Sequence, residues 1–455
     1  MVVEGPGRRE TVVSFDADRI SSDGGLFLLQ ELERRTGILR RASECFDDQR
    51  NPALIEHTAC ELVSQRILGI VLGYEDLIDH DSLRVDPLLA SVVGKVDPMG
   101  KNRRVERDKG KALAGRNTLN RLELSASGGD GRYKKILLRD GAFDQFFLET
   151  FLASESPAPG GIIIDLDATN DPVHGEQEGR FFHGYYDEYC FLPLYAFCGD
   201  HLLLADLRTA DQGPTVNLVS RLEMIVNGIR EKWPEVQITF RGDAAFSVDE
   251  LMSWCEENGH GYVFGLQKNS RLLKKIADEL EEAKLEAEET GQASRVFKEF
   301  QYKTLDSWSR ERRVIAKAEH LQGKSNPRFI VTNDFPDSHA RALYEIVYCA
   351  RGDMENRIKE QQLYLFADRT SCHELVANQL RLWLHSAAYV FMQAFRQLAL
   401  EGTELERSHS HTIREKLFKI GALIKVTCRN IQVRLSESFP FKELLAAAWR
   451  NLATH

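Results

Sequence analysis

Residues 11–25 read as a short strand followed by a capped turn, and the apolar positions from Leu26 to Glu33 begin a helix. Between Pro52 and Leu72, Leu54, Ile55, Ala59, Leu62, Val63, Ile67 and Ile70 recur on one helical face and predict a second helix. A turn-rich acidic stretch follows at 73–87, and Leu113–Glu123 starts another helix. The Ser and Gly of 125–131 predict a linker.

Past that point the pattern changes. Gly160–Asp167 is a hydrophobic strand ending in acids, 181–186 and 192–197 read as further strands, and 201–207 reads as another strand or the continuation of the last. Val216–Lys232 is an amphipathic helix, Val236–Asp243 a strand ending in an acid, Val248–Asn258 a helix and 262–266 a strand. Strand, strand, strand, helix, strand, helix, strand is the order of an α/β core with a meander first. Residues 271–289 form a highly charged helix, and 296–302, 312–318 and 329–332 read as three strands, a β-rich insertion into that core. A polar helix near 348–360 and a long apolar helix over 375–400 complete it, with Trp383, Tyr389, Phe391 and Phe395 as packing residues. The expected organisation is a mostly helical region at 1–125, core at 126–266, insertion at 267–340, the rest of the core at 341–400 and a C-terminal region at 401–455.

Composition changes this picture little. At 455 residues the chain has room for two or three domains, and 43% hydrophobic with 28% charged residues is ordinary for a globular protein. No run approaches the roughly 18 apolar residues of a membrane span, and the first residues lack an apolar signal region, so a cytoplasmic location is expected. The eight cysteines are scattered without a Cys-x-x-Cys pair, which suits a reducing compartment and argues against a zinc site.

Charge is more informative locally than globally. The formal net charge is −10, yet Arg407–Arg434 holds seven Lys or Arg against the single acid Glu415. That asymmetry marks Arg414, Lys419 and Arg429 as candidates for contact with nucleic acid, with a basic exposed helix as the alternative. The basic stretch 101–111 joined to a helix suggests a DNA-binding module at the N-terminal end, and a solvated loop explains it equally well. His80 among Asp76, Asp79 and Asp81 invites a metal reading, but caps and a surface turn are the preferred explanation.

The candidate chemistry lies in three acids. Asp167 closes the first core strand and Asp243 the fourth, so in neighbouring strands both emerge at one edge of the sheet. On a helix, Tyr348, Arg351, Glu355 and Lys359 fall at offsets of three, seven and eleven and share a face. Glu355 laid across the sheet would complete a three-carboxylate cluster, too repulsive to persist without divalent cations. Hard oxygen ligands favour Mg²⁺ or Mn²⁺. Two such ions about 3.5–4 Å apart would stabilise the attacking and leaving oxygens of an in-line phosphoryl displacement. Asp165 shares a strand face with Asp167 by the period of two, and Asp167, at the strand end, is the preferred ligand.

Asp167-Ala-Thr169, Arg241-Gly-Asp243 and Tyr348-x-x-Arg351-x-x-x-Glu355 resemble the three signatures of insertion-sequence DDE transposases with a Tyr-Arg-Glu-Lys motif. The strings at 165–175, 181–187, 241–246 and 73–81 are similar, more narrowly, to the insertion sequence 1380 family, and the likeness runs from about residue 12 to the C-terminus. The resemblance implies a ribonuclease-H-like catalytic core interrupted by a β-rich insertion between the second Asp and the Glu. It implies Asp167, Asp243 and Glu355 as the catalytic, metal-binding triad, with Tyr348 and Arg351 on DNA phosphates near the scissile bond. The motif expects a basic residue seven positions after the Glu; position 362 is Gln, and Lys359 is a possible substitute. The chemistry implied is metal-dependent hydrolysis at each transposon end, then attack of the freed 3′-hydroxyl on target DNA. Double-stranded DNA, as terminal inverted repeats and as target, is the expected partner, bound by at least a dimer in a bacterial cytoplasm. Trp308 is a candidate for stacking on a flipped base, with sheet packing the preferred reading. The alternatives are a nuclease with this core but no strand transfer, and a catalytically silent DNA-binding derivative.

Overall fold

In the strand Gly161–Ala168, even positions and odd positions have different fates. Ile162, Ile164 and Leu166 enter a large hydrophobic core, while Asp165 and Asp167 face the other side. The same division runs through a mixed sheet whose path is 201–206, 194–198, 161–168, 237–242, 261–266, 328–332, 312–321 and 294–302. Numbered along the chain, its first five strands lie in the order third, second, first, fourth, fifth. The Asp167 strand pairs antiparallel with Leu194–Cys198 and parallel with Gln237–Gly242. Gln237–Gly242 in turn is parallel to Gly261–Leu266. The parallel pairs are joined through the helices Leu218–Lys232 and Asp249–Glu257, as parallel crossovers require.

The computed structural model describes residues 2–3, 11–12, 14–16, 19–126, 135–154, 157–321, 323–335 and 339–454. Positions 127–131 of the expected linker lie outside the described residues. The chain divides into two compact units, one of Met1–Ala142, Leu363–Ala367 and Trp383–His455, the other of Phe143–Gln362 and Asp368–Leu382. The C-terminal region is thus part of the same unit as the N-terminal helices.

In the second unit, one face of the sheet is covered by Ala142–Ser154, Leu218–Lys232 and Asp249–Glu257, through residues such as Phe151, Leu222, Ile229 and Met252. On the other face Leu343 and Tyr344 pack on Val263, Ile315 and Ile330. The strands Ser294–Tyr302, Arg312–Leu321 and Arg328–Thr332 do not form a sheet of their own. They continue the core sheet from Gly261–Leu266, whose residues 262–265 are buried on both faces and need a paired neighbour on each side. Between Asp167 and Leu194 the chain makes a small three-stranded ribbon from Asp171–Pro172, Phe181–His183 and Glu188–Phe191.

The first unit is mainly helical, with a small sheet of Ile20–Ser21, Ala422–Val426 and Ile431–Leu435. The helix expected over 52–72 begins only at Ala59, where Thr58 and Glu61 form a reciprocal capping box; Leu54 is exposed. His80 is not on a surface turn. It is fully buried, its Nδ1 3.0 Å from the Gln65 amide, and desolvation pushes its pKa down to about 3, so it is a neutral core histidine. The charged helix expected over 271–289 is broken at buried Ile276 into Ser270–Lys275 and Ala277–Thr290. All eight cysteines are free. Among the described residues no helix is long and apolar enough to cross a membrane.

Candidate active site

Register brings the acids together. Gly242 lies beside Leu166 in the parallel pair, so Asp243, one residue on, emerges beside Asp167. One Asp243 oxygen caps a short turn by accepting from Ala245 N at 2.9 Å. Asp243 is therefore also the strand-end cap that a structural role requires, with its second oxygen left over.

Glu355 arrives on the helix Gly352–Leu365. The segment before it is not the regular helix that the spacing predicts. Leu343–Tyr348 is a π-helical turn and Cys349–Arg351 a 3₁₀ turn, an irregularity of the kind found where side chains are re-aimed at functional sites. Arg351 still pairs with Glu355 at 2.7 Å, and its other terminal nitrogen lies 3.1 Å from Asp167. One guanidinium thus bridges the first and third acids.

Electrostatics reflects this crowding. Burial, offset by Arg351 and reinforced by Asp243 and Glu355, pushes the Asp167 carboxyl up to about 6. Burial opposes the charge of Arg351, but Asp167, Tyr348, Glu355 and Asp243 together hold its pKa above the ordinary value. The Tyr348 phenol is raised by burial and by Asp243, with Arg351 acting the other way. Three carboxylates against one guanidinium leave an excess of negative charge on hard oxygen donors, which is the chemistry of a divalent-cation site. Among the described residues, however, no group of three or more His, Cys, Asp or Glu is closed tightly enough to hold a metal ion. Arg351 stands between two of its members.

A second ion pair supports the first. Arg241 reaches across the parallel register to Asp165, with nitrogen–oxygen distances of 2.5 and 2.8 Å, and also donates to the Val347 carbonyl. Both side chains are buried. Asp165 is thereby occupied, and the turn that carries Tyr348 is tied to the sheet. Gly265 matters for the same turn, because a Cβ there would lie 2.6 Å from the Tyr348 hydroxyl and 2.9 Å from Ala244 N. Alongside runs a groove of about 340 Å³ lined by Gly265, Lys268, Arg328, Tyr344 and Tyr348. Tyr186, on the ribbon, is also near: after burial, the charges of Asp167 and Asp243 raise its phenol pKa. Neither Arg241 nor Tyr186 is given a role by the sequence; the signals are the Arg241-Gly-Asp243 signature and the string 181–187.

The remaining expected residues separate. Lys359 is exposed on the Glu355 helix and forms no ion pair with a described residue, while Gln362 donates to the Asn170 carbonyl at 2.9 Å. Trp308 is 4% exposed, its indole N–H donating to Ser247 O and its ring packed against Tyr302 and Arg312. It is a core residue, out of reach of a base. Arg414 is likewise buried and donates to the carbonyls of Ile70, Val71 and Tyr364, so it holds the first unit together and does not face DNA. The charge of Lys419 is taken up by buried Asp23 at 2.8 Å, over the Tyr74 ring. Of these three cations only Arg429 is exposed, in the turn between Ala422–Val426 and Ile431–Leu435.

No curated protein matches the chain. A family model described as transposase DDE domain, group 1, matches residues 4–455, and the chain therefore belongs to the DDE transposases.

Proposed function

We propose that the chain cleaves phosphodiesters at the ends of its own element and joins the freed 3′-hydroxyl to target DNA. The reading rests on one observation above the others: Asp167 and Asp243 end two adjacent parallel strands, and Arg351 bridges Asp167 to Glu355. The sheet order third, second, first, fourth, fifth, in which only the second strand runs against the others, supports reading this part as a ribonuclease-H-like core. On this reading residues 267–340 are an insertion that widens the core sheet. The likeness to the insertion sequence 1380 family belongs to the proposal too.

Asp167, Asp243 and Glu355 would hold divalent cations, Mg²⁺ or Mn²⁺, with Arg351 moving from the acids toward a DNA phosphate. The bound ions supply activation of the attacking oxygen and charge neutralisation at the phosphorus. The rest falls to the chain. Arg241 and Asp165 keep the Tyr348 turn seated, Tyr348 and Arg351 orient the phosphate, and exposed Lys359, Lys268, Arg328 and Arg429 attract the backbone. Two copies would hold two ends.

The test is cleavage and joining of the element's ends with Mg²⁺ by the wild type and by Asp243→Asn. Loss of both activities in a folded variant is expected. Cleavage at the wild-type rate would show that Asp243 is only a turn cap. The runner-up, a nuclease without strand transfer, gives hydrolysis products alone from pre-cleaved ends.

A further inference from the structure

The chain just beyond Asp167 buries oxygens that the surrounding fold leaves without donors. Asp171 and Tyr195 are both 0% exposed, yet neither Asp171 carboxylate oxygen nor the Tyr195 hydroxyl has a hydrogen-bond partner. One oxygen of half-buried Asp368 shares that condition. Among the described residues seven buried side-chain oxygens are orphaned in this way, and these three residues own four of them, which points to a common cause.

The fold brings the three residues to one place. Asp171 pairs with Phe191 at the root of the ribbon, and Tyr195, on the strand that follows, sits opposite Asp167. Asp368 comes just after the helix Gly352–Leu365, which carries Glu355. The loop it begins is laid on the ribbon: Gln177 donates to the Thr370 carbonyl at 3.3 Å, and Glu178 N to the His373 carbonyl at 2.9 Å. Each group also feels the others. Burial pushes the Asp171 carboxyl up to about 8, with Asp368 adding to the rise and the Thr370 side chain, Arg369 and Arg381 opposing it. The Tyr195 phenol is raised by burial and by the charges of Asp171 and Asp368.

A buried carboxylate is paired, bound to a cation or neutralised by a proton. Thr370, Arg369 and Arg381 act on Asp171 from nearby, but none makes a hydrogen bond to either oxygen. The donor set says which cation fits. It is all oxygen, which selects a hard ion over zinc or copper. Two carboxylates match the charge of one divalent ion, and the phenol adds a neutral donor. An ion here must shed most of its water. Mg²⁺ does so reluctantly, whereas Ca²⁺ accepts irregular sets of carboxylate and neutral oxygens.

We propose that Asp171, Asp368 and Tyr195 form a second cation site, for Ca²⁺, apart from the cluster of Asp167, Asp243 and Glu355. The ion fastens the ribbon root, just past Asp167, to the loop that follows the Glu355 helix. The site stands independently of the cleavage reading, since it uses none of that reading's three acids.

The experiment measures Ca²⁺ binding to the full-length chain carrying Asp243→Asn and Glu355→Gln, which removes the other acids as competitors. Calorimetry gives affinity and stoichiometry, and melting curves show whether the ion stabilises the fold. Asp171→Asn and, separately, Asp368→Asn are then added to this background. The background is expected to bind one Ca²⁺ per chain and to melt higher in its presence. Each added substitution should weaken binding roughly tenfold or more and abolish the rise in melting temperature. Should Asp171→Asn fail to fold, Asp368→Asn decides alone. No binding to the background overturns the site and leaves Asp171 with its own proton. Binding that survives either substitution unchanged overturns it too, because the ion then sits elsewhere. Both results leave the cleavage reading standing, which is tested by activity and not by Ca²⁺.

Discussion

Arg241 and Asp165 lie directly opposite each other in the parallel pair of strands and form a buried two-pronged ion pair, at 2.5 and 2.8 Å. The same guanidinium donates to the Val347 carbonyl, one residue before Tyr348. A planar fork can serve an acid on the sheet and a carbonyl on the helix at once, which an ammonium cannot. Arg241→Ala should therefore cost about 3–5 kcal/mol by leaving Asp165 charged and alone, and Arg241→Lys should rescue only part of it. Chemical denaturation measures both. The double variant with Asp165→Asn should be more stable than Arg241→Ala alone, and additive losses would show that the pair is not coupled.

The Asp167 carboxyl, raised to about 6, makes a prediction with a definite sign. Its ordinary value is about 4, so the folded state prefers the protonated form. The penalty is absent below about pH 4, grows between pH 4 and 6, and is complete above 6. Without added divalent ions, Asp167→Asn should be more stable than the wild type by about 3 kcal/mol at pH 7. The gap should close by pH 4 in a series of melting curves. Added Mg²⁺, which favours the carboxylate, should narrow the gap at pH 7.

Gly265→Ala tests the approach of the Tyr348 turn to the sheet. The added methyl would meet the Tyr348 hydroxyl at 2.6 Å, so the ring must move. A displacement of this size near a reacting phosphate costs on the order of 10²-fold in turnover. The fold should survive, because only a side-chain end and one turn are disturbed. Unchanged cleavage would remove Tyr348 from the site.

Trp308 and Arg414 should behave as core residues. Trp308→Ala is expected to lose about 3–5 kcal/mol of stability. Arg414→Ala removes a buried guanidinium that donates to three carbonyls and should also destabilise the fold. Neither should change the DNA affinity of the folded fraction. Arg429→Ala should do the opposite, leaving stability alone and reducing the salt dependence of binding by about one unit of slope. A change of slope for Arg414→Ala would return it to the DNA surface.

Much of the framework was legible along the chain, for a physical reason. Strands and helices declare themselves by periods of two and 3.6, which are local, and the order of elements from Gly161 to Leu266 can be read that way. The period of two also put Asp165 and Asp167 on one face, and the acids closing two strands stood out as chemistry without a packing purpose. Local periodicity is silent on three other matters. It does not say which strand lies next to which, so the pairing of Arg328–Thr332, Arg312–Leu321 and Ser294–Tyr302 onto the core sheet at Gly261–Leu266 is not legible along the chain. It does not say whether an arginine has buried acceptors, and those of Arg414 come from residues 70, 71 and 364. Nor does it decide whether a ring is inside the core: sheet packing is only the preferred reading of Trp308 along the chain, and its 4% exposure settles the matter. The sequence by itself determined the elements and the acids that end them. Only the tertiary structure decided their partners, because burial and pairing depend on residues far apart in the chain.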